Sequence, residues 1–178
     1  DSESVKDEID YSKFIVDSKK INKDLDDFNK GRIPKGYKIG IPTLDNHYTF
    51  KINEMSAVVG KKGDGKTTIQ LCMQICSSIV HGLVYVCAFQ ENKAWSMKMN
   101  CLNQLLGDYQ DKVERENPLL HKQAVEWMDK HFIFLDVDTM REATETVEYL
   151  ISKGTNVYAL ILDPVNSFGN GWSDTGNG

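Results

Sequence analysis

The chain has 178 residues, a length that suits one domain with a substantial core and leaves room for a small appendage. Hydrophobic residues make up 40% of it and charged residues 26%, which is ordinary for a globular protein. The net charge of −5 argues against a domain that covers itself with nucleic acid through charge alone, although it leaves room for a local basic loop.

The cysteines and the ends of the chain bear on its compartment. The four cysteines form no CxxC pair and no Cys/His cluster: Cys72, Cys76, Cys87 and Cys101. We interpret them as buried free thiols rather than metal ligands or disulfides, which favours a reducing, cytoplasmic setting. No apolar run reaches the length of a membrane span, and the charged N-terminus is no signal peptide, so we expect no membrane partner. Because the first residue is not Met, we expect an excised or processed piece.

Residues 1–31 are rich in Asp and Lys and carry a broken helical stripe of apolar side chains: Val5, Ile9, Phe14, Ile21, Leu25 and Phe28. Gly31 and Pro34 end this pattern. The sequence therefore divides into an N-terminal helix, 1–31, and a main domain, 32–178. The helix is either a solvated element of its own domain or a linker that docks on a neighbouring subunit, and composition does not decide between these.

The main domain begins with an extended, looping entry, residues 33–50, and then alternates between strands and helices. The predicted strands are 55–60, 83–89, 132–138 and 157–163. The predicted helices are 66–82, 94–107, one that ends near Lys130 after a connector, and 140–154. In the first of them we expect Ile69, Cys72, Ile75, Cys76 and Ile79 to face inward. This alternation predicts an α/β fold with a parallel sheet and right-handed crossovers. The glycine-rich residues 169–178 look mobile or cut short.

Residues 60–68, GKKGDGKTT, join the first predicted strand to the first helix of the main domain. Gly60, Gly65, Lys66 and Thr67 fit G-x-x-x-x-G-K-[ST] without a mismatch. In such a loop, glycines allow backbone N–H groups to converge on phosphate oxygens, the lysine reaches the terminal phosphates, and the hydroxyl is a Mg²⁺ ligand. The predicted nucleotide-binding residues are Gly60, Lys61, Lys62, Gly63, Asp64, Gly65, Lys66, Thr67 and Thr68. Lys61 and Lys62 are not diagnostic, because loop lysines are also common as solvated charge.

Two carboxylates follow predicted strands and would lie at the same edge of a parallel sheet. Asp163 ends the apolar run 157–163, where ligands of open α/β folds bind, so we expect it to hold Mg²⁺ together with Thr67. Glu91 follows the strand 83–89 and is a candidate for orienting an attacking water. Its other interpretation is a capping carboxylate on the next helix, and position alone does not separate the two.

Three segments together resemble the RecA-like ATPase core of ring-forming replicative helicases of the DnaB and Twinkle type, with their phage relatives. The segments are GIPTLDNHYTFKINEMSAVVGKKGDGKTT, VYVCAFQENKAWSMKMNCL and LILDPVNSF. The resemblance implies that Glu91 is the catalytic base and Asp163 the Walker B residue. It also implies a γ-phosphate sensor at Asn166, where the family usually carries Gln or His. Asn166 can donate the same amide hydrogen bond but is one methylene shorter, and Pro164 also departs from the usual pattern.

The resemblance covers roughly residues 36–170, and only the phosphate-loop motif is highly specific. It implies a truncated RecA-like P-loop core preceded by a linker helix that packs on the adjacent protomer. By this resemblance the chain stops before the arginine finger and the main DNA-binding loops, so the isolated piece would be inactive or weakly active. Residues 169–178, with Trp172, would be either the start of a DNA-facing loop or a disordered tail.

The resemblance implies an ATP-hydrolysing, Mg²⁺-dependent portion of a hexameric helicase. Such a ring would move on single-stranded DNA in the cytoplasm, of a bacterial host if the gene is phage-borne. Catalysis would rest on Lys66 and Glu91. Two alternatives remain: a RecA- or KaiC-like ATPase that is not a helicase, such as a recombinase, and a nucleotide-binding assembly module without turnover.

Overall fold

A computed structural model describes Ser12 and residues 15–168. The chain divides into two compact units, Asp1–Gly36 and Tyr37–Gly178. Trp172 and the remainder of the predicted tail, 169–178, lie outside the described residues, as do residues 1–11, 13 and 14 of the predicted N-terminal helix. Among the described residues, no helix is both long enough and apolar enough to span a lipid bilayer.

The first unit contains helix α1, Ser18–Asn29. Asp17 begins it, because its carboxylate accepts a hydrogen bond of 3.0 Å from the backbone N–H of Lys19. Ile21, Leu25 and Phe28 recur at helical spacing and are all about half exposed. Part of the predicted stripe therefore exists as one apolar face of α1, and no residue of this helix is buried.

The second unit opens with small elements: strand β1 (Tyr37–Lys38), helix α2 (Pro42–Asp45) and strand β2 (Thr49–Phe50). β1 and β2 pair antiparallel. The larger elements follow in chain order: α3 (Lys66–His81), β3 (Val84–Phe89), α4 (Ala94–Leu106), α5 (Gln110–Glu116), α6 (Pro118–His131), β4 (Phe132–Leu135), α7 (Met140–Ser152) and β5 (Val157–Asp163).

The main sheet has the order β4-β3-β5, and both pairs of strands are parallel. The predicted parallel α/β architecture is therefore confirmed. In the register of β3 with β5, Phe89 pairs with Asp163, so these two strands end at the same edge. The core beside the sheet joins strand and helix side chains: Leu71, Ile75, Tyr85, Cys87, Met97, Cys101, Met128, Phe132 and Ile161.

The strand predicted at residues 55–60 is absent. The segment has no regular secondary structure, and each of its residues is exposed. A short apolar run forms a strand only when a partner strand lies alongside. Here the sheet ends at β5, and the segment is not hydrogen-bonded to it.

The inward face predicted for α3 is also partly wrong. Ile69 and Ile79 are 43% and 58% exposed, whereas the buried residues are Leu71, Gln74, Ile75, Ser77 and Ser78. The buried face includes polar residues because partners satisfy them. The Ser78 hydroxyl donates to the Leu83 carbonyl over 2.8 Å, and the Ser77 hydroxyl lies 2.7 Å from the Tyr85 hydroxyl. A prediction that counts only apolar residues misplaces such a face.

The remaining differences are small. The connector before α6 is itself helical, and Asn117 separates α5 from α6 by capping the latter. All four cysteines are free, as predicted, but only Cys87 and Cys101 are buried, while Cys72 and Cys76 are half-buried.

Candidate functional site

The glycine loop turns into α3 through left-handed backbone conformations. Gly63 and Gly65 have φ angles of 90° and 78°, which L side chains rarely adopt. Gly65 is the residue before α3, and no side chain caps the first turn of that helix. The N–H groups of this turn are therefore free of side-chain acceptors, an arrangement that suits an anionic ligand.

The side chain of Lys66 folds back over this loop. Its Nζ donates a 2.7 Å hydrogen bond to the backbone carbonyl of Lys61. Lys66 is half-buried, whereas residues 60–65 of the loop are exposed. The ammonium group is thus held above the loop, where it can exchange this carbonyl for a ligand oxygen.

An acidic side chain occupies part of the same loop. The Asp64 carboxylate accepts a 2.7 Å hydrogen bond from the Lys61 backbone N–H. A Cβ placed on Gly60 would lie 3.2 Å from the same carboxylate and 3.4 Å from the Lys66 side chain. Gly60 thus leaves room for both charged groups, and the Asp64 carboxylate takes an amide donor that the motif otherwise offers to a phosphate.

The structure brings together the two predicted metal ligands. Thr67, in the first turn of α3, donates a 2.6 Å hydrogen bond from Oγ1 to Oδ2 of Asp163 at the end of β5. Both residues are half-buried. A hydroxyl and a carboxylate in contact beside a phosphate loop are the oxygen donors that Mg²⁺ uses when phosphates and water complete its shell.

Glu91 lies just beyond the same edge. It occupies the bend after β3, two residues past Phe89, which pairs with Asp163. The Gln90 backbone N–H donates to the Asp163 carbonyl over 3.2 Å, which ties the two strand ends together. The Glu91 side chain is exposed, and the N-cap residue of α4 is Lys93 rather than Glu91. The capping interpretation of Glu91 therefore finds no support.

The other predicted site residues are placed as follows. Lys61, Lys62 and Thr68 are exposed. Asn166 lies in the 3₁₀ turn Val165–Ser167 that follows β5, and its side chain is outside the described part of the chain.

Sequence reasoning missed a cavity of about 380 Å³ next to the start of α3. Thr67 and Thr68 line it on one side, and four amide side chains line it elsewhere: Asn92, Asn100, Asn103 and Gln104. The buried Oε1 of Gln104 has no hydrogen-bond partner among the described residues. The signal was the recurrence of Asn and Gln on α4, a pattern that by itself indicates only a solvated helix face.

Gln90 was also missed. Its side-chain amide donates to the Val137 carbonyl over 2.5 Å, which connects the end of β3 to the segment after β4. This contact helps to hold the loop that carries Glu91. Nothing in the sequence marks Gln90, which stands between a predicted strand and Glu91.

The acidic groups of the site do not form a complete cage for a metal. Among the described residues, no group of three or more His, Cys, Asp and Glu side chains is arranged to hold an ion. A site that relies on the ligand's own phosphates needs fewer protein oxygens, so Thr67 and Asp163 are compatible with Mg²⁺ bound together with a nucleotide.

Comparison with known protein families, with curated proteins and with solved structures found no match for this chain.

Proposed function

We propose that this chain binds Mg·ATP at the loop 60–68 and takes part in its hydrolysis. The observation that carries the proposal is the contact between Thr67 and Asp163, which are 96 residues apart in sequence. The motif alone predicts a phosphate-binding turn. The contact adds a carboxylate beside the threonine of that turn, as Mg²⁺-dependent phosphoryl transfer requires.

Each group has a separate role in this proposal. The loop amides and Lys66 would bind the phosphate oxygens, and Thr67 and Asp163 would hold Mg²⁺. The bound ion would neutralise charge on the transferred phosphoryl group. Glu91, exposed beyond the end of β3, would orient a water for in-line attack and accept its proton.

The finer proposal is a RecA-like core that belongs to a hexameric, single-stranded DNA-translocating helicase. Its support is the order of three sequence segments, those that contain the glycine loop, Glu91 and Asp163. The exposed apolar face of α1, made by Ile21, Leu25 and Phe28, adds to this, because a linker helix that docks on an adjacent protomer needs such a face.

Nucleotide binding is tested by calorimetric titration with Mg·ADP. Lys66→Ala should weaken the affinity by about 10- to 100-fold, as expected for a lost charge-assisted hydrogen bond. Lys62→Ala is the matched control, since Lys62 is exposed in the same loop and its backbone amide is retained. Equal affinities for the two variants, or no binding by the unmodified chain, would refute the proposal.

The helicase proposal needs a separate test on the assembled protein. Directional, ATP-dependent unwinding of a forked DNA duplex is the expected result. Filament formation with strand exchange would favour a recombinase instead. Nucleotide binding without phosphate release would favour an assembly module.

A further inference from the structure

The cavity beside the start of α3 has the composition of a site for a neutral ligand. Its volume is about 380 Å³, and its walls come from α3, from α4 and from the loop before α4. None of the described residues that line it is charged. Because a charge that leaves water needs an opposite charge or several hydrogen bonds, this lining favours an uncharged group over a free ion.

Two buried apolar side chains provide surfaces for the faces of a ring. Leu71 of α3 and Met97 of α4 line the cavity, and only 2% and 1% of their surfaces are exposed. Both belong to the core beside the sheet, so packing fixes their positions. A thioether such as that of Met97 also makes favourable contacts with aromatic rings. Ligand sites typically combine apolar walls of this kind with a few polar groups that fix the orientation of the ligand.

Two neighbouring amide side chains of the cavity offer one donor and one acceptor. The Asn103 Oδ1 accepts a 2.8 Å hydrogen bond from the backbone N–H of Gln110, which leaves its NH₂ group as the donor that this side chain can offer a ligand. The Oε1 atom of Gln104 is buried and has no hydrogen-bond partner among the described residues. Since buried polar atoms are normally paired, a ligand that carries an N–H donor would complete the site.

Adenine carries the complementary pair of groups along one edge. Its N6 amino group donates and the neighbouring N7 accepts, whereas guanine presents two acceptors, N7 and O6, along the same edge. An amino donor suits the Gln104 Oε1, and a ring nitrogen suits the Asn103 NH₂ group. Guanine would place its O6 against Oε1, which is a contact between two acceptors. The two amides therefore distinguish one purine from the other.

The cavity adjoins the proposed phosphate site. Thr67 and Thr68, the last two residues of the glycine loop, line it together with the amides. Asn103 and Gln104 lie in the last turn of α4, whereas Glu91 precedes that helix. A base bound by these amides and a water oriented by Glu91 would therefore occupy opposite ends of α4.

We propose that this cavity is the base subsite of the nucleotide site and that it selects adenine. Gln104 accepts a hydrogen bond from the N6 amino group, Asn103 donates to the ring nitrogen beside it, and the faces of the base pack against Leu71 and Met97. The inference rests on the proposed function, since the loop 60–68 holds the phosphates. It assigns the choice of nucleotide to residues of α4 that lie outside the phosphate-loop motif.

Calorimetric titration of the whole chain with Mg·ADP, Mg·GDP and Mg·pyrophosphate tests this. Pyrophosphate has no base, so it reports on the loop alone. ADP should bind at least about tenfold more tightly than GDP, because guanine leaves a buried acceptor unpaired. Equal affinities for ADP and GDP, with pyrophosphate bound, would overturn the inference and leave the proposed function standing. If neither the nucleotides nor pyrophosphate bind, the proposed function is refuted, and the inference with it.

Gln104→Leu removes the acceptor and keeps a side chain of comparable size. It should lower the affinity for Mg·ADP by about tenfold, abolish the preference over GDP and leave the affinity for Mg·pyrophosphate unchanged. Gln123→Leu, at an exposed amide of α6 outside the cavity, is the matched control and should change none of the three affinities.

Two results with Gln104→Leu would contradict the base subsite. One is unchanged ADP binding, and the other is an equal loss of ADP and pyrophosphate affinity, which would mean that the side chain supports the loop. Circular dichroism shows whether the variant folds. If it does not fold, the comparison of ADP with GDP in the unmodified chain still decides.

Discussion

The Thr67 hydroxyl donates to the Asp163 carboxylate over 2.6 Å and so joins the first turn of α3 to the end of β5. This contact places a hydroxyl and a carboxylate, the two groups that we propose to hold Mg²⁺, beside the glycine loop 60–68. The same edge of the sheet carries Glu91, since β3 and β5 end in register. Three chain segments, far apart in sequence, thus meet where nucleotide chemistry would need them.

Asp163→Asn should remove the Mg²⁺ dependence of nucleotide binding. Asparagine keeps an oxygen that accepts the Thr67 hydrogen bond, so the fold should be preserved, but the charge that attracts the metal is lost. We expect the affinity for ADP to be the same with Mg²⁺ and with EDTA in this variant. Asp136→Asn, at an exposed aspartate after β4, is the control and should retain the Mg²⁺ effect. Retained Mg²⁺ dependence in Asp163→Asn would place the metal ligand elsewhere.

Glu91→Gln should leave nucleotide affinity unchanged and lower turnover. A general base contributes about 10²- to 10⁴-fold to rate, and glutamine cannot accept the proton. The measurement is phosphate release by the assembled protein, paired with a binding titration. Glu114→Gln, on the exposed side of α5, should behave like the unmodified protein. If Glu91→Gln still turns over at the normal rate, the base is another residue.

Asp64→Asn should strengthen the binding of ADP. The Asp64 carboxylate takes the Lys61 N–H and adds negative charge where phosphates would bind. Removing an exposed charge at a few ångströms should raise the affinity by about three- to tenfold at low salt. Calorimetry at increasing NaCl should show the gain shrinking, because screening weakens the repulsion.

The control for Asp64 is Asp24→Asn, which removes the same charge from α1. If both variants gain equally, net charge rather than the loop contact is responsible. If Asp64→Asn binds less well than the unmodified chain, the carboxylate supports the loop instead of competing with its ligand.

The residues of the candidate site could be found from the sequence because their signals are local. Gly60, Gly65 and Lys66 belong to one short motif, and Asp163 ends an apolar run. The loop motif marks Thr67, and open α/β folds bind ligands at the carboxyl ends of their strands, so the motif and the fold class together predict that Thr67 and Asp163 lie close to each other. The role of Asp64 did not follow, because it depends on which way one side chain turns within a loop.

Other features depend on contacts with distant residues of the same chain, which the local sequence does not reveal. The short apolar run of residues 55–60 predicts a strand, but a strand forms only where another lies beside it. The polar buried face of α3 requires the Tyr85 hydroxyl and the Leu83 carbonyl, which come from the next strand and its entry. The periodicity of a sequence shows which residues are apolar, but it does not show which polar side chains will find hydrogen-bond partners once they are buried.

Stability should decline at high pH because the hydroxyl groups of two tyrosines are buried. Burial raises the pKa of Tyr85 well above its ordinary value of 10.0, although the hydrogen bond between Tyr85 and Ser77 partly opposes this, and burial raises the pKa of Tyr158 to about 12. The contribution of these two tyrosine hydroxyls to stability is fully retained below pH 10. Above pH 10 the unfolded chain ionises first, so the free energy of unfolding should fall as the pH rises towards 12.

Tyr85→Phe tests the source of this decline. It removes the buried ionisable group, and the Ser77 hydroxyl keeps its 3.0 Å bond to the Gln74 carbonyl, so the cost at pH 7 should be about 1 kcal/mol. Urea unfolding at pH 7 and at pH 10.5 should then show a smaller loss of stability than in the unmodified chain. Tyr109→Phe, at a tyrosine that is 70% exposed, should leave the pH dependence intact. If the unmodified chain and both variants lose the same amount of stability between pH 7 and pH 10.5, other groups control alkaline unfolding. One such group is the buried Cys87 thiol, because burial also raises its pKa.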